Sequence, residues 1–295
     1  MSTTLELQRL QEEFRVACEG DDRCLYALFD GARVRGLPVF LREIGADFTS
    51  LYRGKPATEL AHVAPYLARL PLTSLIIPWL LVDTVAAQSG LFLVAGAGLD
   101  ALRQHLRRYL IVLDARGGQN FFRFYDPRVI APFLDASSPE ESARFFGPVR
   151  RLMVCASAPP VKPPFFRTWD APAAPPASAP PTAFDKFALR PQHEERFAKD
   201  TWAFYEQRCV THLKAHYAVR LKDKPDEAVR QIVANAKAVA DPLGITAGRD
   251  VTALAEVLVL DPGFAARAYI ESKPPRERSH SVARLLNYLR FTQGA

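Results

Sequence analysis

The stretch FFRFYDPRVIAPFL, residues 121–134, sets Arg123, Asp126 and Arg128 among aromatic and aliphatic residues. A carboxylate between two guanidiniums is a candidate catalytic acid, a phosphate cradle, or a paired ion closing the end of a strand. The local sequence favours the last. Asp126 directly precedes Pro127. Such a pair starts a helix, because the carboxylate caps free amides and proline at the first helical position forfeits no hydrogen bond.

A second candidate is LFLVAGAGLDALRQHLRRYLIVLD, where Gly96, Gly98 and Ala101 fit G-x-G-x-x-A and Asp114 ends the next strand. After a strand and before a helix, that spacing is the dinucleotide fingerprint, with the acid placed for a ribose hydroxyl. The alternative function it supports is a nucleotide-dependent enzyme. The fingerprint belongs to parallel βαβ units, however, and the element that follows here is predicted as a hairpin, so a plain strand-to-helix turn is preferred.

Cys209, His212 and His216 form C-x-x-H-x-x-x-H on a predicted helix and share a face, as zinc ligands would. With no fourth ligand suggested, a half-buried helix face is the simpler reading, and no cofactor is expected. Arg103, Arg107 and Arg108, with Lys273, Arg276, Arg278, Arg284 and Arg290, could meet phosphates. Without a nucleic-acid-binding module around them, they read as solvated helix faces and no nucleic-acid partner is expected. The chain has no H-E-x-x-H, no Walker loop and no G-x-S-x-G elbow.

The elements that position these residues follow from periodicity and punctuation. Strands are predicted at 25–29, 48–52, 65–70 and 91–94, and helices at 37–44 and at 74–87, the latter broken or started at Pro78. Leu99, Leu102, Leu106 and Tyr109 make one helical stripe. Leu110–Leu113, the turn ARGG and Gln119–Tyr125 make a hairpin. Asp126 opens a helix that Pro132 should kink or end within a turn. Ser138, Pro139 and Glu141 form a capping box, and Gly147 and Pro148 stop the helix it begins. Beyond residue 186 the pattern is helical, at 192–217, 226–240, 249–260 and 281–291. Between them, 156–185 is rich in Pro and Ala and reads as a semi-rigid linker, with Phe165, Phe166 and Trp169 able to pin its first half to a surface. The expected organisation is α+β: an α/β lobe with a mixed sheet over 1–155, the linker, and an all-helical lobe over 186–295.

At 295 residues and 48% hydrophobic content, the chain can bury a sizeable core. No apolar run is long enough to cross a bilayer, so no membrane insertion is expected. The polar, acidic start is unlike a secretory signal and reads as an amphipathic helix or a loose terminus. Cys18, Cys24, Cys155 and Cys209 are scattered without C-x-x-C spacing, which predicts reduced thiols in a cytoplasmic protein. The net charge of +6 is compatible with weak attraction to nucleic acid or an acidic partner and singles out neither.

The ordered motifs YALFDGAR, DFTSLYRG, APYLARLP, LDALRQHLRRYL, FFRFYDPRVIAPFL and ARFFGPV resemble the effector adaptor (chaperone) family of bacterial type VI secretion, whose shared domain is catalogued as domain of unknown function 4123. The resemblance spans about residues 24–155, and the helical remainder looks like that family's variable C-terminal lobe. It implies a non-enzymatic, cytoplasmic protein that binds a toxic effector and helps load it onto a spike protein; from the division into two lobes, a two-part clamp is expected. It also implies that Asp30, Arg33, Arg123, Tyr125, Asp126, Pro127, Arg128, Phe146, Gly147 and Pro148 are fold-defining or line a docking surface.

Overall fold

The computed structural model describes residues 4–20, 23–72, 89–156, 165–173 and 186–293. Two compact units divide the chain, Met1–Phe197 and Ala198–Ala295.

The first unit is built on a six-stranded sheet of order β2-β3-β1-β4-β7-β8. The strands are β1 Cys24–Asp30, β2 Asp47–Ser50, β3 Pro65–Leu70, β4 Gly90–Ala95, β7 Val149–Ala156 and β8 Phe165–Asp170. Every pairing is antiparallel, where a mixed sheet was expected. Along β1, alternate residues enter two cores: Leu25, Ala27 and Phe29 one, Tyr26 and Leu28 the other. Burial on both faces is why CLYALF reads as a continuous apolar run rather than an alternating one.

Helices α1 (Thr4–Ala17) and α2 (Leu37–Glu43) bring Phe14, Leu37 and Leu41 onto the first face. The other face receives α4 (Leu99–Arg107), α5 (Pro127–Ala136) and α6 (Pro139–Phe146). A short α3 (Lys55–Glu59) follows β2, and the hairpin β5 (Ile111–Leu113)–β6 (Gln119–Phe121) connects α4 to α5. The capping box on α6 is formed as predicted, and Asp126 caps α5 through Arg128 N.

Pro132 does not end α5, which runs on to Ala136. A proline inside a helix costs about 3 kcal/mol. Burial of Ile130, Phe133 and Leu134 returns roughly 1.5–3 kcal/mol for each large side chain and holds the helix together.

The expected linker over 156–185 is corrected in its middle, where Phe165–Asp170 pairs with β7 as an edge strand. Phe166 packs on Phe14 and Phe92, their ring centroids 4.7 and 5.7 Å away. Residues 186–197 also belong to this unit. Leu113 N donates to Phe187 O and Leu189 N to Leu113 O, each at 2.8 Å, and Asp135 accepts from Trp169 Nε1 at 3.3 Å and Arg196 Nη2 at 3.0 Å. The boundaries 155 and 186 therefore move: the division falls inside α7 (Pro191–His216), between Phe197 and Ala198.

The second unit continues through α8 (Ala218–Leu221), α9 (Asp226–Ala240), α10 (Gly248–Leu260), α11 (Ala266–Glu271) and α12 (Arg278–Gln293). Val229, Val233, Ala236 and Ala240 form the buried stripe of α9, at the three- and four-residue spacing that an amphipathic helix requires. The helix predicted at 74–87 lies outside the described residues. No helix among those described is long and apolar enough to cross a membrane.

Candidate functional site

β1 delivers Asp30 to the edge of the sheet core, fully buried. Its Oδ1 accepts from Ala32 N at 3.1 Å, fixing the turn that follows, and its Oδ2 is paired with Arg123. Asp126, 4% exposed, lies on the next segment. Its Oδ1 takes the amide of Arg128 at 2.9 Å and Arg128 Nε at 3.0 Å, while Oδ2 takes Arg128 Nη2 at 2.6 Å and faces Arg33 Nη1 at 3.9 Å. Burial pushes this carboxyl up, but the Arg128 hydrogen bonds and the Arg33 charge outweigh it and hold it below the ordinary carboxylate value. An acid kept ionised in this way is a poor proton donor at neutral pH.

Tyr125 is buried, and the Arg123 guanidinium lies 5.6 Å from its ring centroid. Burial raises its phenol strongly, with the neighbouring Tyr52 adding to the effect. Asp30, Arg33, Arg123, Tyr125, Asp126, Pro127 and Arg128 are thus brought into one corner. Here the end of β1 is clasped to the start of α5.

Phe146, Gly147 and Pro148 sit at the far end of α6. Gly147 has φ +49°, and a Cβ there would come within 2.3 Å of the His105 ring. That ring is held by Nε2 donating to Phe145 O at 2.6 Å. The glycine therefore admits the packing of α4 on α6 rather than any ligand.

Asp126→Ala is expected to lower stability by roughly 0.5–2 kcal/mol through the lost cap, and by more if the guanidiniums left behind find no water. Thermal unfolding checks this. An unchanged melting temperature accompanied by loss of turnover on a small substrate would instead assign Asp126 to catalysis.

The glycine fingerprint does not have its required setting. β4 is antiparallel to both β1 and β7. Asp114 uses its carboxylate on its own turn, accepting from Arg116 N at 2.9 Å, Gly118 N at 2.8 Å and Asn120 Nδ2 at 2.8 Å. These bonds, from Gly118 first, hold it below the usual carboxylate value.

The C-x-x-H-x-x-x-H residues also find separate partners. Cys209 is buried near Thr252, His212 Nε2 meets Glu256 Oε1 at 2.7 Å, and His216 Nδ1 donates to His212 O at 3.0 Å. Among the described residues no group of three His, Cys, Asp or Glu side chains could hold a metal ion. The late arginines have partners within the second unit too: Arg278 donates to Leu243 O at 3.1 Å, and Arg290 pairs with Glu256.

One triad-like set escaped the sequence, because its members come from three elements with no motif spacing. His193, fully buried, places Nε2 3.2 Å from Ser137 Oγ and 3.7 Å from Glu141 Oε2. Its Nδ1 accepts from Arg190 N at 3.0 Å, so the neutral ring carries its proton on Nε2, toward the serine. Ser137 Oγ donates to Phe133 O at 2.8 Å. A triad needs the opposite tautomer, with the carboxylate on the far nitrogen. This set anchors the start of α7 instead of activating a nucleophile.

Burial lowers the pKa of both His105 and His193 below 6.5, against the opposing pulls of Phe145 O and Glu141. The unfolded chain takes up these protons first, so stability contributed by the neutral rings is complete above about pH 6.5 and is lost as pH falls through the lowered folded values. The melting temperature of the first unit should therefore drop between pH 7.5 and 5. A flat profile would contradict the assigned neutral state of both rings.

No curated protein and no solved structure matches the chain. Residues 25–144, from β1 into α6 and including the whole Asp30–Asp126 corner, match the family model described as a domain of unknown function, DUF4123.

Proposed function

We propose that this protein is a type VI secretion adaptor, which holds a toxic effector in the producing bacterium and helps load it onto the spike protein without catalysing a reaction. The observation that carries the reading is the DUF4123 match over residues 25–144, which falls on the motif order that resembles the adaptor family. The side-chain chemistry supports it. In the corner, the buried acids are paired with arginines and occupied by backbone amides, while Arg123 and Arg128 keep more than two-fifths of their side-chain surface exposed. That arrangement suits a rigid surface with cationic anchors, as protein interfaces favour.

Deleting the gene in a bacterium that carries it tests the reading. Delivery of one toxin to neighbouring cells should stop while the machine still secretes its spike. Undiminished delivery of every toxin would contradict the adaptor role.

A further inference from the structure

We infer that the basic face where α4 meets the end of β2 is a docking site for an acidic protein segment carrying aromatic or aliphatic residues. Arg103 and Arg107 lie one helical turn apart on α4. Arg103 Nε donates to Ser50 O at 2.7 Å and its Nη2 to Tyr52 O at 3.0 Å, while Arg107 Nη1 donates to Leu51 O. Three successive carbonyls therefore fix the two guanidiniums without neutralising them, because a carbonyl accepts a hydrogen bond but carries no net charge. Arg53 follows on the same connection and Lys55 opens α3, and both are exposed.

Among the described residues, no carboxylate pairs with Arg53, Lys55, Arg103 or Arg107. Asp100, one turn earlier on α4, is exposed and makes no such pair. Burial lowers the Arg107 pKa, and the charges of Arg103 and Arg53 lower it further, so both of these neighbours repel it. The nearby corner is different, since its arginines face Asp30 and Asp126.

Beside the guanidiniums is an apolar spot. Phe121 is 48% exposed, stands edge-on to Tyr52 with centroids 6.2 Å apart, and is opposite the exposed Ile111 across the hairpin. Among the described residues no hydrogen bond takes Arg107 Nε or Nη2, the fork that a carboxylate fills with two parallel hydrogen bonds. Cation and apolar surface side by side fit a short segment in which Asp or Glu alternates with Phe, Leu or Tyr. The patch is confined to one face of α4, the end of β2 with the start of α3, and a hairpin. It lacks the extended basic track that a nucleic-acid backbone requires.

In naming a protein as the ligand, the inference rests on the adaptor reading, but its test does not need the native partners. Fluorescence anisotropy of the full chain with a short fluorescein-labelled peptide of Glu, Asp, Phe and Leu should show saturable binding, weakened by added salt. The same peptide with Gln and Asn in place of the acids should bind far less. Arg103→Gln with Arg107→Gln removes the anchors, and also the carbonyl clamps that hold the fold. Arg53→Glu with Lys55→Glu disturbs no side-chain hydrogen bond among the described residues, and should weaken binding roughly tenfold. The inference is overturned if that second variant binds the acidic peptide as the native chain does, or if single-stranded DNA of equal charge binds more tightly than the peptide. Peptide binding through this patch, in a chain that recovers neither spike nor toxin, would leave the docking site standing and remove the adaptor reading. Recovery of both partners, unaltered by the charge reversal, would do the reverse.

Discussion

Gly31→Ala is expected to cost the first unit about 3 kcal/mol or more, at the upper end of what overpacking does. Gly31 follows the buried Asp30 in the FDGAR motif, and a Cβ added there would stand 2.4 Å from Ala64 O and 3.3 Å from both Ala64 N and Val63 C. All three atoms are backbone, so no side chain can swing away. Gly31 N also donates to Ala64 O at 3.1 Å, and separating the segments to admit a methyl group would break that bond. The displaced turn carries Ala32 and Arg33, so Asp30 and Asp126 would each lose a partner. Against a typical total of roughly 5–15 kcal/mol, such a loss is large. Urea unfolding should show a markedly lower midpoint, and a midpoint equal to that of the native chain would refute the close approach.

The second large effect is expected at Glu256. This carboxylate, 4% exposed, joins three helices of the second unit. Oε1 accepts from His212 Nε2 at 2.7 Å on α7, and Oε2 accepts from Tyr217 OH at 2.8 Å and from Arg290 on α12. Glu256→Ala leaves a buried phenol and a guanidinium without their acceptor. Breaking a buried pair costs about 3–5 kcal/mol, and the lower figure applies because the Arg290 side chain is 40% exposed and can turn to water. Glu256→Gln keeps one acceptor and should cost less. Hydrogen exchange resolved by peptide should show protection lost in α10 and α12 of the alanine variant, with β1 and β4 unchanged. Retained protection in both helices would show that apolar packing alone holds this unit.

What was legible in the sequence is what chemistry fixes locally. The Asp126 cap and the Ser138–Glu141 box act across two and three residues, and the prolines that punctuate the helical unit act on their own turn. Partners far apart in the chain left no trace in a single sequence. Arg123 and Asp30 are separated by 93 positions and His212 and Glu256 by 44, so the corner could be suspected from FRFYDPR while its other half, Asp30, came only from the family resemblance. The spacing of Cys209, His212 and His216 was read as a half-buried helix face, but the partner that takes His212 was invisible, because Glu256 arrives from α10. Composition misled at β8: FFRTWD has the aromatic content of a strand, but the Pro- and Ala-rich residues around it read as a spacer. Arg151 and its neighbour Arg150 hid β7 in the same way, although Arg151 is satisfied across the sheet edge by Asp170 at 2.6 Å.

The central claim, that this chain serves as a carrier and not a catalyst, is tested most directly by capturing the tagged full-length protein from a bacterium that carries it and identifying what is enriched over an untagged control. The account predicts a spike protein and a toxin together, both retained at moderate salt. Recovery of neither, from cells in which the secretion machine and its toxins are expressed, would contradict it.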